Sequence, residues 1–455
     1  IEENTSVDAK LHSSIMNVRW QFENTFSDEP EIRALIKGVI FGDKGEIDEE
    51  TRNEFNENGT GHVLAVSGLH IGFLFTLLKF LTKKRNTRGM SMLILAIIVL
   101  YGEMTMWSPS TIRAVMVLGI NTMAVWLRRR ADMLTSVSFA ALILLAINPY
   151  QLFNTGFQMS FLAMLGIAFF GKPLSILIGD ELAIILAVQL AIAPYTALIF
   201  HRFNPLSVFI NIPIVALASV IVPVCICEIG LIIVIGYIPL LLKDLSCGLM
   251  ELLISLNRWL NFGSNWSFYM TGINIGILIG AYVILFLLSS EWFRVQVIRQ
   301  NYSLIRKDLG LASLPIIVLV LASYNTYADD ELVFVSVGQG DCLHIRVGSE
   351  DYLIDGGGYR ERNIGENTLL PYLLSNGADR VDTAFVTHLH DDHYKGIEEL
   401  ASVYDVNSLA LSPAYRHVLA TTVDEVNFVQ KGVRYELDSD CAVVPIWPVK
   451  SPSGT

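Results

Sequence analysis

The stretch Thr383-Ala384-Phe385-Val386-Thr387-His388-Leu389-His390-Asp391-Asp392-His393 places a dense group of imidazoles and carboxylates directly after a short apolar run. The run up to Val386 predicts a β-strand. Histidine and aspartate at the end of a strand are suitable ligands for zinc or manganese. The metal ligands predicted here are His388, His390, Asp392 and His393.

The spacing of these ligands allows two ions, one on His388 and His390 and a second on Asp392 and His393. Two divalent ions about 3.5–4 Å apart can activate a water and neutralise phosphate oxygens, so hydrolysis needs no protein nucleophile. We therefore assign catalytic roles to Asp392 and His393. The alternative is an exposed polar loop without an ion.

The sequence around this stretch predicts a small α/β domain. Residues 331–355 alternate like short strands, and Leu369–Ser375 is typical of a helix. Gly338, Gly340 and Asp341 form a loop whose backbone N–H groups can face a phosphate, with a plain turn between strands as the alternative. Cys342 follows this loop, in an alternating apolar segment.

Upstream, apolar runs long enough to suggest membrane spans recur from residue 62 onwards. The stretch 205–239 contains four prolines, so we expect two kinked or broken segments there. Residues 240–262 combine a leucine face with a charged face, which favours a helix lying along the membrane interface. The other predicted spans are 62–81, 89–107, 110–127, 133–147, 156–171, 181–200, 273–290 and 309–325.

Charge divides the 455 residues into three parts, although 52% of them are hydrophobic and the total charge is −12. Residues 1–59 carry 14 acids and 6 bases, residues 60–328 carry 9 acids and 17 bases, and residues 329–455 carry 21 acids and 9 bases. The net charges are therefore −8, +8 and −12. This composition excludes a disordered chain, a collagen and a disulfide-stapled mini-protein.

Basic residues predict the orientation of the spans, because they favour the cytoplasmic side. They become cytoplasmic together if the first span runs from outside to inside, which places both acidic ends outside. The clusters are Lys79, Lys83, Lys84, Arg85 and Arg88, then Arg128, Arg129 and Arg130, then Lys172, and finally Arg294, Arg299, Arg306 and Lys307.

Polar residues within the predicted spans indicate a water-filled path, because ionisable groups in hydrocarbon pair with one another or face a cavity. The alternative for each one is a hydrogen bond between helices. The predicted channel residues are His62, Ser67, His70, Arg113, Gln158, Gln189 and Asn211, and Glu103, Asn204 and Glu228 share their setting.

Two resemblances bring these observations together. The strand followed by His388-Leu389-His390-Asp391-Asp392-His393 resembles the HxHxDH signature of the metallo-β-lactamase superfamily, and Tyr352-Leu353-Ile354-Asp355-Gly356-Gly357 resembles its first motif. That resemblance implies that Asp355 supports the metal loop, and a turn residue at the end of a strand is the alternative. Gly61-His62-Val63-Leu64-Ala65-Val66-Ser67-Gly68-Leu69-His70 resembles the hallmark of the ComEC competence proteins, and so do Ser108–Ala114 and Gly156–Phe161.

The resemblance implies a multi-span α-helical membrane domain followed by a partial metallo-β-lactamase-like αββα domain. We expect a polar lead-in over 1–60, a channel domain over 61–328 and the metal domain over 329–455. A third histidine and a bridging aspartate of that superfamily are not found. We therefore expect the sequence to be a fragment without the family's N- and C-terminal ends, and its metal site to be incomplete.

The implied function is import of single-stranded DNA through the bacterial inner membrane during natural transformation. A metal-dependent phosphodiesterase outside the cytoplasm would degrade the other strand, and a DNA receptor and a cytoplasmic ATPase would be partners. Two alternatives stay open: a membrane-tethered metallo-hydrolase of a small substrate, and a transporter whose outer domain is not catalytic.

Overall fold

A computed structural model describes residues 7–82, 87–129, 132–261, 268–271, 275–291, 295, 299, 330–358, 363–416, 421–423, 425–438 and 441–446. The chain divides into two compact units. The first comprises Ile1–Tyr195, Asn204–Phe268 and Leu285–Arg294, and the second comprises Thr196–Phe203, Tyr269–Ile284 and Val295–Thr455.

The polar lead-in folds into three helices, α1 (Val7–Thr25), α2 (Pro30–Ile36) and α3 (Glu49–Glu57). A π-helical turn, Lys37–Phe41, extends α2 and ends at Gly42, whose φ of 81° suits glycine. Phe22 packs edge-on against Phe26 and Phe41, with ring centroids 5.4 and 5.7 Å away. The lead-in therefore shares the hydrophobic core of the helical unit.

Apolar helices follow, and most of them match the predicted runs. They are α4 (Gly68–Leu81), α5 (Arg88–Met104), α6 (Pro109–Trp126), α7 (Met133–Ile147), α8 (Thr155–Gly166), α9 (Lys172–Ile178), α10 (Asp180–Phe200), α11 (Ser207–Ile235), α12 (Leu240–Trp259) and α13 (Ile275–Ser289).

Among the described residues, three helical stretches are long and apolar enough to cross a bilayer. They are Thr155–Ile176, Leu182–Phe200 and Ser207–Ile235, with 22, 19 and 29 residues. The first runs from α8 through a π-helical turn into α9. Lys172 therefore lies within a helical stretch that continues beyond the predicted span of 156–171.

The break predicted within 205–239 is wrong, because α11 is one continuous helix of 29 residues. Pro213 and Pro223 lie inside it. Each proline removes its own N–H donor and its ring crowds the carbonyl of the preceding turn, but the remaining hydrogen bonds hold this long apolar helix together. The side-chain amide of Asn211 also donates to the carbonyl of Ser207, at 2.7 Å.

The predicted first span is shorter than expected, since α4 begins at Gly68 and has 14 residues. His62 lies in the preceding turn and Ser67 is the N-cap, so the prediction that these two residues lie inside a span is wrong. The serine hydroxyl accepts from the amide of Leu69, and that bond competes with continuing the helix backwards.

The helix predicted over 240–262 is α12, which buries Met250 and Leu253 against the core. Asn257, near its end, is wholly buried and is bound by two residues that follow α3. The Asn58 amide donates to the Asn257 carbonyl at 2.9 Å, and the Thr60 hydroxyl donates to its side-chain oxygen at 2.8 Å. These bonds anchor the lead-in to α12.

The C-terminal part contains a mixed six-stranded sheet. Its order is β3 (Glu331–Phe334), β4 (Leu343–Val347), β5 (Glu350–Ile354), β6 (Val381–Val386), β7 (Val406–Leu411) and β8 (Glu425–Phe428). The pairs β3–β4 and β4–β5 are antiparallel, and β5 to β8 are parallel. Short pairs also form between β1 (Arg202–Phe203) and β2 (Phe268–Tyr269) and between β9 (Tyr435–Glu436) and β10 (Ala442–Val443).

Two helices cross between the parallel strands of this sheet. A π-helical turn, Gly365–Leu369, leads into α14 (Leu370–Ser375) before β6, and α15 (Asp391–Ala401) follows β6. Leu353, Leu373 and Ile397 are buried in the core between sheet and helices. Parallel strands need such crossovers, and they place the ends of β5 and β6 at the same edge.

Some predictions lie outside the described residues. They are the span over 309–325 and the basic residues Lys83, Lys84, Arg85, Arg130, Arg294, Arg306 and Lys307.

Candidate functional site

The polar stretch after β6 forms a loop that is held by Asp355 at the end of β5. The carboxylate of Asp355 accepts from the Thr387 amide at 2.8 Å and from the Thr387 hydroxyl at 2.7 Å. It also lies 2.8 Å from Nδ1 of His393. Asp355 has a φ of 58°, a conformation that aspartate tolerates better than most residues. One buried carboxylate therefore fixes both ends of the loop.

The loop brings His388, Asp392 and His393 together, with one potential ligand atom from each within 4.8 Å of the others. Nδ1 of His393 faces Asp355, which leaves Nε2, 3.7 Å from the Asp392 carboxylate, on the side of the cluster. Nδ1 of His388 lies 2.9 Å from the Thr387 hydroxyl. A carboxylate behind a ligating histidine is the usual support in metal sites, so these side chains fit a divalent metal.

This grouping differs from the two predicted pairs. His390 is the N-cap of α15, and one helical turn then carries Asp392 and His393 back towards His388. The rings of His388 and His393 are 4.1 Å apart, and those of His388 and His390 are 4.7 Å apart. His390 therefore borders the cluster.

The electrostatic setting favours neutral imidazole at His388. Partial burial, followed by the neighbouring rings of His393 and His390, lowers the pKa of His388. Neutral imidazole is the form that binds metal. Burial raises the pKa of the nearby Cys342 thiol to about 12, which favours its protonated form.

Glycines allow the surrounding loops to approach the metal loop. A Cβ at Gly340 would fall on the carbonyl oxygen of Asp392, and one at Gly358 would fall on that of Asp391. Gly338 has nothing within 4 Å of its Cβ position. Gly340 is thus needed for packing against α15. Gly338 is needed only for the backbone conformation of the turn, where its φ is 86°. Asp341 is exposed, and its carbonyl accepts from the Gly357 amide at 3.0 Å.

Near the start of α4, the predicted channel residues form a capped turn. Nδ1 of His70 accepts from the Ser67 amide at 3.1 Å and lies 3.0 Å from its hydroxyl. Nε2 of the buried His70 has no hydrogen-bond partner among the described residues. Because the backbone amide donates to Nδ1, this uncommitted Nε2 carries the proton of the neutral ring.

The other predicted channel residues lie on four helices. Gln158, on α8, donates to the Leu152 carbonyl at 2.7 Å and accepts from the Tyr195 hydroxyl. Asn211, on α11, is buried, and its side-chain oxygen has no partner in the described structure. Gln189 lies part-buried on α10. Arg113, on α6, is 5% exposed.

Comparison with known proteins identifies both parts. The family model described as competence protein matches residues 39–295, which is more than half of the chain. The chain belongs to the competence protein family. The model of the metallo-β-lactamase superfamily matches residues 335–448, which confirms the fold predicted for the second part and indicates divalent-metal binding.

Relatives of this competence protein agree. The chain is 25% identical over 414 residues to ComE operon protein 3 of Bacillus subtilis, covering 85% of the chain and 52% of that protein. It is 27% identical to uncharacterized proteins of Mycoplasma genitalium and Aquifex aeolicus. Those alignments cover 36% and 42% of the chain, and 45% and 46% of the relatives.

The chain therefore spans about half the length of the curated relatives it matches. No solved structure matches it significantly. Together with the three long apolar helices, the family match identifies a membrane protein.

Sequence reasoning missed Thr387 and the buried group of Asn58, Thr60 and Asn257. Thr387 links Asp355 to His388, and its place between the strand and the first histidine was an available signal. The contact of Asn58 with Asn257 joins residues 199 positions apart, for which a single sequence offers no signal.

Proposed function

We propose that this competence protein imports one strand of DNA through the bacterial inner membrane during natural transformation. The observation that carries the proposal is the match to the competence family over residues 39–295 on the same chain as a metallo-β-lactamase-like domain. The relative named ComE operon protein 3 aligns with 85% of the chain and extends through both parts. The net charge of +8 over residues 60–328 suits a polyanionic substrate.

In this proposal, polar side chains of the helical unit line the strand's path. His70, Arg113 and Asn211 are buried there and each keeps a polar atom without a partner among the described residues. His62, Ser67, Gln158 and Gln189 complete the proposed lining. Unsatisfied buried polar atoms are costly in a helical bundle, and water or a polar substrate would satisfy them.

The second part of the proposal is hydrolysis of the strand that is not imported. His388, Asp392 and His393 would hold a divalent ion, either zinc or manganese, and His390 would join a second ion. When bound, such ions supply a Lewis acid for phosphate oxygens and lower the pKa of a water. The chain's own contribution is orientation: Asp355 fixes the His393 ring, and Thr387 fixes the His388 ring.

The loop from Gly338 to Asp341 would lie beside the phosphate, because Gly340 packs directly on the backbone of Asp392. We further propose the domain bounds 1–60, 61–328 and 329–455, with α12 along the membrane interface. Both acidic ends would then face outside, where a DNA receptor delivers the substrate. A cytoplasmic ATPase would act on the emerging strand.

The catalytic part is tested with metal content and cleavage of a labelled DNA duplex by the intact chain. Because His393 is both a ligand and the partner of Asp355, His393→Ala should abolish metal-dependent cleavage and lower the metal content, and Asp392→Ala should do the same. Glu398→Ala, on the exposed face of α15, is the matched control and should leave both unchanged.

Three results would separate the candidate functions. Cleavage that survives His393→Ala would refute the catalytic assignment. Metal binding without cleavage in the unmodified chain would favour a non-catalytic outer domain, and hydrolysis of small esters but not DNA would favour a tethered hydrolase. The grouping of only three ligands in the described residues is the observation that favours the non-catalytic candidate.

A further inference from the structure

Arg113 is a buried guanidinium without a partner among the described residues. It lies on α6, is 5% exposed, and makes no hydrogen bond or ion pair with any residue that the structure describes. A guanidinium offers five N–H donors and stays charged at physiological pH. Burying such a charge without a counter-charge is strongly unfavourable. The position therefore calls for an anion.

The guanidinium lies beside the N-terminus of α8. Its Nη2 is 4.0 Å from the point where a Cβ on Gly156, the second residue of that helix, would be. The first amides of a helix have no acceptor within the helix and carry a partial positive charge. The Asn154 side chain accepts from only one of them, that of Phe157, at 3.0 Å. Gly156 leaves the space between the guanidinium and the helix end open.

Two positive groups thus converge where the described structure supplies no carboxylate partner for Arg113. A guanidinium fork and a helix N-terminus are the two structures that proteins most often use to bind phosphate oxygens. The side chain of Gln158 is committed elsewhere, to Leu152 and Tyr195. Arg113 is therefore the group available to a ligand at this point.

The surroundings of Arg113 are firmly held. The Ser110 hydroxyl, one turn earlier on α6, donates to the Val66 carbonyl. The methyl group of Ala114 lies 4.0 Å from the point where a Cβ on Gly68 of α4 would be. The guanidinium thus projects from a fixed part of α6. Movement of α8 away from it would break no hydrogen bond of Arg113, which lowers the cost of admitting a ligand.

We propose that Arg113 and the N-terminus of α8 bind a backbone phosphate of a single DNA strand. This assignment rests on the proposed import function and names one contact along the path. A backbone phosphate fits better than a lipid headgroup, because Arg113 is enclosed by the helical unit. The contact reads no base, so binding is independent of sequence.

The test is binding of a short labelled oligothymidylate to the intact chain in nanodiscs of zwitterionic lipid, over a series of salt concentrations. Arg113→Gln should weaken binding about tenfold, the effect of losing one charge-assisted contact. It should also lower the slope of log Kd against log salt by about 0.7, the value for one phosphate on a single strand. Arg113→Lys should restore the slope but only part of the affinity, because lysine lacks the fork.

Arg129→Gln is the matched control, since it removes an exposed arginine just beyond the C-terminal end of α6 and should change neither quantity. If the unmodified chain does not bind oligothymidylate, the import function fails and this assignment with it. If it binds and Arg113→Gln binds equally with the same slope, only this assignment is overturned. Repeating the series in nanodiscs of anionic lipid tests whether Arg113 binds a lipid headgroup instead. If Arg113→Gln retains less anionic lipid but binds oligothymidylate as well as the unmodified chain, the assignment to a DNA phosphate is also overturned.

Discussion

The metal loop, residues 387–393 held by Asp355, and the helical unit differ in whether their buried polar groups have hydrogen-bond partners. In the metal loop, Asp355 has a partner for each carboxylate oxygen. In the helical unit, His70, Arg113, Asn211 and Glu228 are at most 5% exposed, and each has a polar atom without a partner among the described residues.

The difference indicates how each region meets its ligand. The metal loop is organised by the protein alone, so binding an ion there requires little rearrangement. The helical unit has buried polar atoms without a partner among the described residues, and under the proposed import function water or the DNA strand would satisfy them. A closed polar network favours a fixed geometry for chemistry, whereas open polar groups keep donors and acceptors available to water or to a ligand.

The largest effect is expected at a second closed polar network of the metallo-β-lactamase-like part, in which the Asp351 carboxylate lies between His344 and Arg346. Its Oδ1 is 2.9 Å from Nε2 of His344 and 2.8 Å from Nε of Arg346, and all three side chains are buried. Asp351→Asn leaves the guanidinium without its counter-charge and should cost about 3–5 kcal/mol. Thermal unfolding of the intact chain measures this cost.

A control is Asp405→Asn, an exposed carboxylate before β7, which should leave the melting temperature unchanged. A loss at Asp351 no larger than at Asp405 would mean that the closed network contributes little to stability, which would break the comparison.

An intermediate effect is expected from two glycines with nearly the same backbone conformation. Gly338 and Gly340 have φ of 86° and 85°, but only a Cβ at Gly340 would meet the Asp392 carbonyl. Gly340→Ala should therefore cost about 1–3 kcal/mol more than Gly338→Ala, as overpacking does. It should also lower the metal content, because α15 must shift.

Unfolding and metal content of the two variants, measured side by side, check this expectation. Equal losses would show that the turn conformation matters and the contact with the metal loop does not.

The smallest effect is expected at Glu228, on α11. Neither carboxylate oxygen has a hydrogen-bond partner in the described structure, and the nearby Ser246 hydroxyl donates to the Lys243 carbonyl. Glu228→Gln removes no bond, keeps the shape and adds no charge, so it should lower the free energy of unfolding by no more than about 1 kcal/mol. A loss comparable to that of Asp351→Asn would mean that Glu228 binds a partner such as an ion.

Features that depend on residues close together in the chain were predictable from the sequence, and features that depend on distant residues were not. The strand before His388 and helices such as α7 and α12 were predicted, because apolar runs and periodicity are local. The break predicted in 205–239 was wrong. A proline disturbs only the turn around it, whereas the continuity of α11 depends on the hydrogen bonds along the whole helix. The start of α4 was predicted too early, because a single serine in the sequence does not show whether it caps a helix or lies inside one.

The sequence by itself determined the two parts of the chain, the charge difference between them and the choice of residues in the metal loop. A group of metal ligands at short spacing can be predicted from the sequence, because residues adjacent in the chain are also close in space. Only the tertiary structure decided which loop residues Asp355 contacts, Thr387 and His393, and that Arg113 lies beside the N-terminus of α8 without a partner among the described residues. Such contacts depend on how strands pair and helices pack, since packing brings distant residues together without leaving a pattern in the sequence.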